Sequence, residues 1–208
     1  MSSDAFLVAQ ALLEKKAVFL RPEEPFTWTS GIQSPIYCDN RLLISQVEAR
    51  RFITKAFVNL IQARNLKPQV IAGTATAGIP WAAWIAEAMD LPLIYVRSSA
   101  KAHGRQNLIE GQLAENTDVV LVEDLISTGK SSLQAVQALR ESKAKVLAVI
   151  GLFHYNFPQA HEVFTRHQVD SFPLCTLDDM LTWATENGKL QPAQAKDILS
   201  WRQSVTFP

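Results

Sequence analysis

The sequence predicts an α/β fold, a parallel twisted sheet flanked by helices, preceded by a small N-terminal segment. Three observations carry this. Short continuous apolar runs, among them Val70-Ile71-Ala72-Gly73 and Leu93-Ile94-Tyr95-Val96, read as strands buried on both faces. Helical stretches alternate with them, which makes the sheet parallel. No repeat, linker or low-complexity stretch divides the 208 residues, so one domain is expected over 1–208.

The elements follow in order. Apolar residues at 5, 8, 9, 12 and 13 give Asp4 to Phe19 a helical rhythm. Pro and Gly then punctuate the chain, and residues 26–44 are expected to be extended and to pair as short strands. Residues 1–44 are thus expected to form mainly an N-terminal helix and short paired strands. Ser45-Gln46-Val47-Glu48 reads as a capping box opening a helix to about Arg64. The α/β core spans 45–177. Its strands are expected at 70–73, 93–96, 118–122, 145–153 and 172–174, with helices from about Ile79 to Met89 and Gly129 to Ser142. Residues 178–208 read as two helices, with Thr176 as cap, Gly188 as stop and Pro192 as restart.

Composition narrows the function. Twenty Lys and Arg balance twenty Asp and Glu, which argues against a nucleic-acid partner that would demand a basic surplus. At 48% hydrophobic and 19% charged, the chain is too apolar for a disordered tail. No run of about 18 apolar residues is present, so no membrane span is expected. Met1-Ser2-Ser3-Asp4 lacks a secretion signal, and Cys38 and Cys175 form no CxxC, which together point to the cytoplasm.

The most informative stretch is Val119 to Ser132, VVLVEDLISTGKSS. Four apolar residues meet two acids, and a small hydroxylated turn then opens a helix. Backbone N–H groups at such a turn make an anion pocket. The bland alternative is an ordinary capped helix after a strand. A P-loop fails, because its first glycine would fall on Asp124, an acid at the mouth of a triphosphate cradle. Acids before a phosphate turn suit a ribose 5-phosphate: Glu123 and Asp124 accept from the ribose hydroxyls while 127–131 hold the phosphate.

The segment 97–105 is the second candidate. Arg97, Lys101, His103 and Arg105 place four potential cations among small residues. A cationic lid of this kind suits a diphosphate leaving group, since charge accumulates there as the bond breaks. A solvated basic loop is the plain alternative.

VVLVEDLISTGKSS resembles the phosphoribosyl diphosphate (PRPP) signature of the type I phosphoribosyltransferases. Tyr95 to Gly104 with Asn107 to Gly111 resembles the mobile catalytic loop (about 97–110) of the orotate phosphoribosyltransferases. Phe26 to Gly31 with Ser34 to Arg41 is similar to that family's hood, and Gly73 to Pro80 to its diphosphate-binding turn. The likeness runs from about residue 17 to 155. It implies the type I phosphoribosyltransferase fold and a pentosyltransferase that joins orotate to PRPP in UMP biosynthesis.

The resemblance also implies site residues. Lys101, Asp124, Arg97 and His103 are the catalytic set, with Lys101 foremost. Thr74, Ala75, Leu125, Ile126, Ser127, Thr128, Gly129, Lys130 and Ser131 join Arg97, Lys101, His103, Glu123 and Asp124 in binding PRPP. Ser127, Tyr37 and Cys38 are expected to bind orotate, although Phe26, Trp28 and Tyr37 also read as ordinary core aromatics. Mg²⁺ is expected to arrive with substrate rather than in a protein cage, and a homodimer with a shared lid is implied.

Several positions depart from the family pattern. Ser98, Thr29 and Ala77 stand where many members carry lysine, and no arginine follows the fourth strand in Leu152-Phe153-His154-Tyr155. These departures suit a subfamily difference and leave the partner of the orotate carboxylate open. Two rival functions remain at this point: a phosphoribosyltransferase for another base, and a non-catalytic PRPP-sensing regulator.

Overall fold

The structure, a computed structural model, describes residues 3–28, 30–99 and 108–207. Helix α1 (Ser3–Glu14) buries Val8, Ala9 and Leu12, as its spacing predicts. It ends before Phe19, because Lys15 and Lys16 interrupt the apolar stripe and Lys16 turns left-handed at φ 57°. Val18–Leu20 instead form strand β1.

The hood consists of two short ribbons. Strand β1 pairs antiparallel with β4 (Ile36–Cys38), setting Phe19 opposite Tyr37. Strands β2 (Phe26–Thr27) and β3 (Gln33–Ser34) form the other ribbon. The extended reading of 26–44 fails beyond Cys38. Asn40–Ser45 coil into a 3-10 helix, capped by the Asp39 side chain, which accepts from the Arg41 N–H. The capping box at Ser45 is overturned with it. Ser45 lies inside that turn, its hydroxyl donates to the Leu42 carbonyl, and helix α2 (Val47–Ala63) starts from Gln46 without a side-chain cap.

The core then alternates: β5 (Val70–Thr74), α3 (Gly78–Met89), β6 (Leu93–Val96), β7 (Ile109–Glu110), β8 (Asp118–Ile126), α4 (Lys130–Glu141), β9 (Lys145–His154), α5 (Pro158–Arg166) and β10 (Ser171–Thr176). The spatial order is β10-β9-β8-β5-β6-β7, parallel throughout except that β7 runs antiparallel to β6. Sequence reasoning did not anticipate β7, only two residues long, or the single amphipathic turn-pair of α5.

Both faces of the sheet are covered. Val120 and Val122 pack among residues of α1, α2 and α3, while Val119 and Leu121 face α4 and α5. Each fully buried Val or Leu of this kind contributes about 1.5–3 kcal/mol. One expectation is corrected here. Strand β8 does not stop at Val122 but continues through Ile126, with Glu123 opposite Gly151 and Leu125 opposite Phe153 on β9. The acidic pair therefore lies within a strand.

The tail follows its signals. Thr176 caps α6 (Leu177–Glu186): its hydroxyl accepts from the Asp179 N–H at 3.1 Å, and the Asp179 carboxylate accepts from the Thr176 N–H at 2.9 Å. Helix α7 (Pro192–Ser204) then lies against the hood, where Trp201 Nε1 donates to the Gln33 carbonyl at 2.8 Å. No helix among the described residues is long and apolar enough to cross a membrane.

Candidate active site

The parallel strands end at one edge of the sheet, where ligands of such folds bind. Thr74 closes β5, Arg97 follows β6, and Asp124 lies near the end of β8. In register, Thr74 stands beside Val96, and Gly73 beside Val122. Chain-distant candidates thus share one rim.

Alternation along β8 separates its two acids, since consecutive side chains point to opposite faces. Glu123 follows Val119 and Leu121 toward α4. It is 4% exposed, and its Oε1 accepts from Ser131 Oγ at 3.1 Å and Ser132 Oγ at 2.9 Å. Burial, reinforced by the charge of Asp124, pushes its pKa up to about 7 against the pull of those hydroxyls. Thr74 adds a weaker pull of the same downward sign, although its Oγ1 makes no hydrogen bond of ordinary geometry.

Asp124 follows Val120 and Val122 toward the hood and is half-buried. Burial raises its pKa, opposed by backbone N–H groups and by the Arg41 guanidinium. The sequence reading gave both acids one task; their surroundings differ.

The turn after β8 has backbone N–H groups that could receive an anion. Gly129 adopts φ 79° and precedes α4, whose first N–H groups have no carbonyl ahead of them in the helix. A Cβ on Gly129 would sit 2.9 Å from the Phe164 ring. Ser127 and Thr128 are half-buried, Lys130 and Ser131 exposed. Across from this turn, Ala75 is half-buried and its N–H donates to the Val96 carbonyl at 2.8 Å; the peptide between Ala75 and Thr76 is cis. Gly78 opens α3 so close to β8 that a Cβ there would lie 2.5 Å from the Val122 carbonyl oxygen.

Beside Ser127 opens a cleft of about 330 Å³, lined by Thr27, Trp28, Ser30, Tyr37, Cys38, Leu125, Ser127 and Tyr155. The three residues assigned to the base from sequence meet there. Trp28 and Tyr155 were missed as wall residues, though their place was legible: one is in the hood, the other directly after a strand's carboxyl end. Trp28 Nε1 donates to the Ile36 carbonyl at 3.1 Å, and its ring stands edge-on to Tyr155 at 5.7 Å and Trp201 at 5.9 Å. Burial raises the pKa of the Tyr155 phenol well above its ordinary value, so it stays a proton donor. A larger hollow of about 590 Å³ lies between α4, α5 and Thr206-Phe207 and shares Thr128 and Lys130 with the turn after β8, but among the described residues no carboxylate lines it.

Arg97 is half-buried at the rim, its Nη1 3.4 Å from the Glu110 carboxylate. Its N–H donates to the Leu108 carbonyl, so the stem of the 97–108 segment is pinned as a ribbon. Lys101, His103 and Arg105 lie outside the described residues. Among those described, no group of three His, Cys, Asp or Glu side chains is placed to hold a metal ion.

Comparison with known proteins agrees with this geometry. Residues 44–174 match the family model of the phosphoribosyl transferase domain. The orotate phosphoribosyltransferase of Staphylococcus saprophyticus is 44% identical over 199 residues, covering 96% of this chain and 98% of that protein. The chain belongs to the orotate phosphoribosyltransferase family. That of Coxiella burnetii is 47% identical over 196 residues, 94% of each chain. The crystal structure of the orotate phosphoribosyltransferase from Aeropyrum pernix superposes with a TM-score of 0.75 at 29% identity, covering 87% of this chain and 98% of that one. The protein is a phosphoribosyltransferase, an enzyme of the glycosyltransferase class, with the type I fold that its signature implied.

Proposed function

We propose that the protein transfers the phosphoribosyl group of PRPP to N1 of orotate, giving orotidine 5-monophosphate and diphosphate in UMP biosynthesis. The supporting observation is the continuity of three surfaces: an anion turn at 127–131, the half-buried Asp124, and the aromatic cleft that shares Ser127 with that turn. The turn takes the 5-phosphate on the N–H groups of α4. Asp124 accepts from ribose hydroxyls and faces the positive charge that develops on the sugar. Glu123 acts from behind, through Ser131 and Ser132.

The N1 electron pair of orotate forms the new bond to C1 of the sugar as the C1–oxygen bond breaks and its pair leaves on the diphosphate. The N1 proton passes to solvent. Inversion at C1 and an oxocarbenium-like transition state follow. Alignment and charge neutralisation supply the rate, without a covalent nucleophile. Arg97, Lys101 and His103 balance the departing diphosphate, beside Thr74 and Ala75. Asp124, a half-buried carboxylate at the rim, would hold Mg²⁺, which prefers oxygen ligands and keeps its waters, and the ion would supply charge neutralisation for the diphosphate.

The orotate ring stacks among Trp28, Tyr37 and Tyr155. Among the described residues no cation lines the cleft, and the hydroxyls of Thr27, Ser30, Tyr37, Ser127 and Tyr155 are the donors available to its carboxylate. A homodimer in the cytoplasm, each lid serving the neighbouring site, completes the reading. The test is direct: purified protein, PRPP, Mg²⁺ and each of five bases, followed by absorbance and product mass. Consumption of orotate alone is expected. Turnover of a purine or uracil at equal rate would replace orotate as the substrate, and PRPP binding without turnover would favour a sensor.

A further inference from the structure

Asn40 connects the two halves of this site. It is 1% exposed, and both ends of its amide are engaged. Nδ2 donates to the main-chain carbonyl of Asp124 at 2.6 Å, across 84 residues of sequence. Oδ1 accepts from Cys38 Sγ at 3.2 Å. A buried amide costs stability unless both ends are paired, and here they are paired to different working parts. Cys38 belongs to the cleft wall, and Asp124 to the strand that faces the sugar.

The surroundings keep Asn40 from simply following either partner. It opens the 3-10 helix that Asp39 caps, and the Asp39 N–H donates to the Ala17 carbonyl at 2.7 Å, which anchors this segment at the start of β1. Strand β8 is fixed separately, by its ladder to β9. The amide is therefore a cross-brace between two independently supported frames. No apolar residue of this size offers a donor and an acceptor at once, and Asp lacks the donor when ionised.

We propose that Asn40 is a positioning residue that sets the base-holding wall in register with the sugar-holding strand. This rests on the transferase reading above. In a displacement at C1, the rate depends on how the incoming nitrogen is aimed, and misplacement by about an ångström costs on the order of 100-fold. Binding of each substrate depends mainly on its own half of the site. Loss of the brace then lowers turnover without a matching loss of affinity, which a purely structural role would not do.

The experiment compares the wild-type enzyme with Asn40→Ala and Asn40→Asp, measuring kcat, both KM values, PRPP affinity by calorimetry, and the thermal midpoint. Asn40→Ala is expected to lower kcat roughly 10–100-fold while both KM values and the PRPP affinity stay within about threefold. Asn40→Asp, equal in volume, should lose at least as much, having exchanged its donor for a charge near Asp124. Unchanged kcat in folded Asn40→Ala overturns the proposal. So does a KM rise that accounts for the whole loss. If neither variant folds, Asn40 is a structural residue and the proposal falls. A wild-type protein that makes no orotidine 5-monophosphate would instead remove the transferase reading, an outcome the wild-type assay reports separately.

Discussion

Glu123 shows how one carboxylate ties stability to pH. Its folded pKa of about 7 exceeds the 4.5 of an exposed Glu, so the folded state holds the proton more tightly. Its contribution is greatest below about 4.5 and declines as pH rises through 7. His154 acts in the opposite sense: burial and then His161 lower its pKa from 6.5 to about 4, so folding is penalised as pH falls through that window. The difference in thermal midpoint between wild type and Glu123→Gln should therefore change between pH 5 and 8, with the wild type losing ground as pH rises; a constant difference would show that Glu123 does not titrate there. For Lys101, replacement by Ala is expected to reduce turnover far more than PRPP affinity, measured by steady-state kinetics and calorimetry side by side; equal loss in both would make it a binding residue only. At this scale the sequence revealed identities better than orientations. Glu123 and Asp124 are adjacent letters, and only the pleat sends one to the serines of α4 and the other to the hood.

Among the elements, α4 and α7 carry the sharpest expectations. Gly129→Ala would force a side chain into φ 79°, costing about 1–2 kcal/mol from the backbone alone. The added Cβ would also press on Phe164 at 2.9 Å. A lower urea midpoint together with weaker PRPP binding is predicted. Trp201→Phe removes the donor to the Gln33 carbonyl while retaining a ring beside Trp28. Its orotate KM should rise with the PRPP KM unchanged, since α7 braces the hood and not the phosphate turn. Long elements with strong periodicity, such as α2 and α3, were legible within a residue or so. The N-terminus of α2 was misread because Ser45 and Glu48 carry a capping pattern, while a 3-10 helix that Asp39 and Arg41 stabilise had already claimed Ser45. The length of β8 was misread because an acidic pair looks like a strand's end. Its ladder to β9 supports it to Ile126 regardless.

Across the whole molecule, the shared-lid reading predicts a solution mass of two chains by light scattering. Leu42 and Val47, both exposed in the single chain, are apolar surface that a partner would cover. A single-chain mass under assay conditions would remove the exchange of lids. The general plan was readable because alternating apolar runs and helical stretches dictate a covered parallel sheet. The cleft wall was only half readable, since Trp28 and Tyr155 meet through folding across more than a hundred residues. On the proposed reading, β8 and the turn after it hold sugar and phosphate, whereas the base cleft is walled mainly by hood residues 27–38 and Tyr155, with Leu125 and Ser127 beside them and Trp201 packed on Trp28. Substitutions in those peripheral segments would then change which nucleobase is accepted while leaving the proposed anion-handling centre untouched.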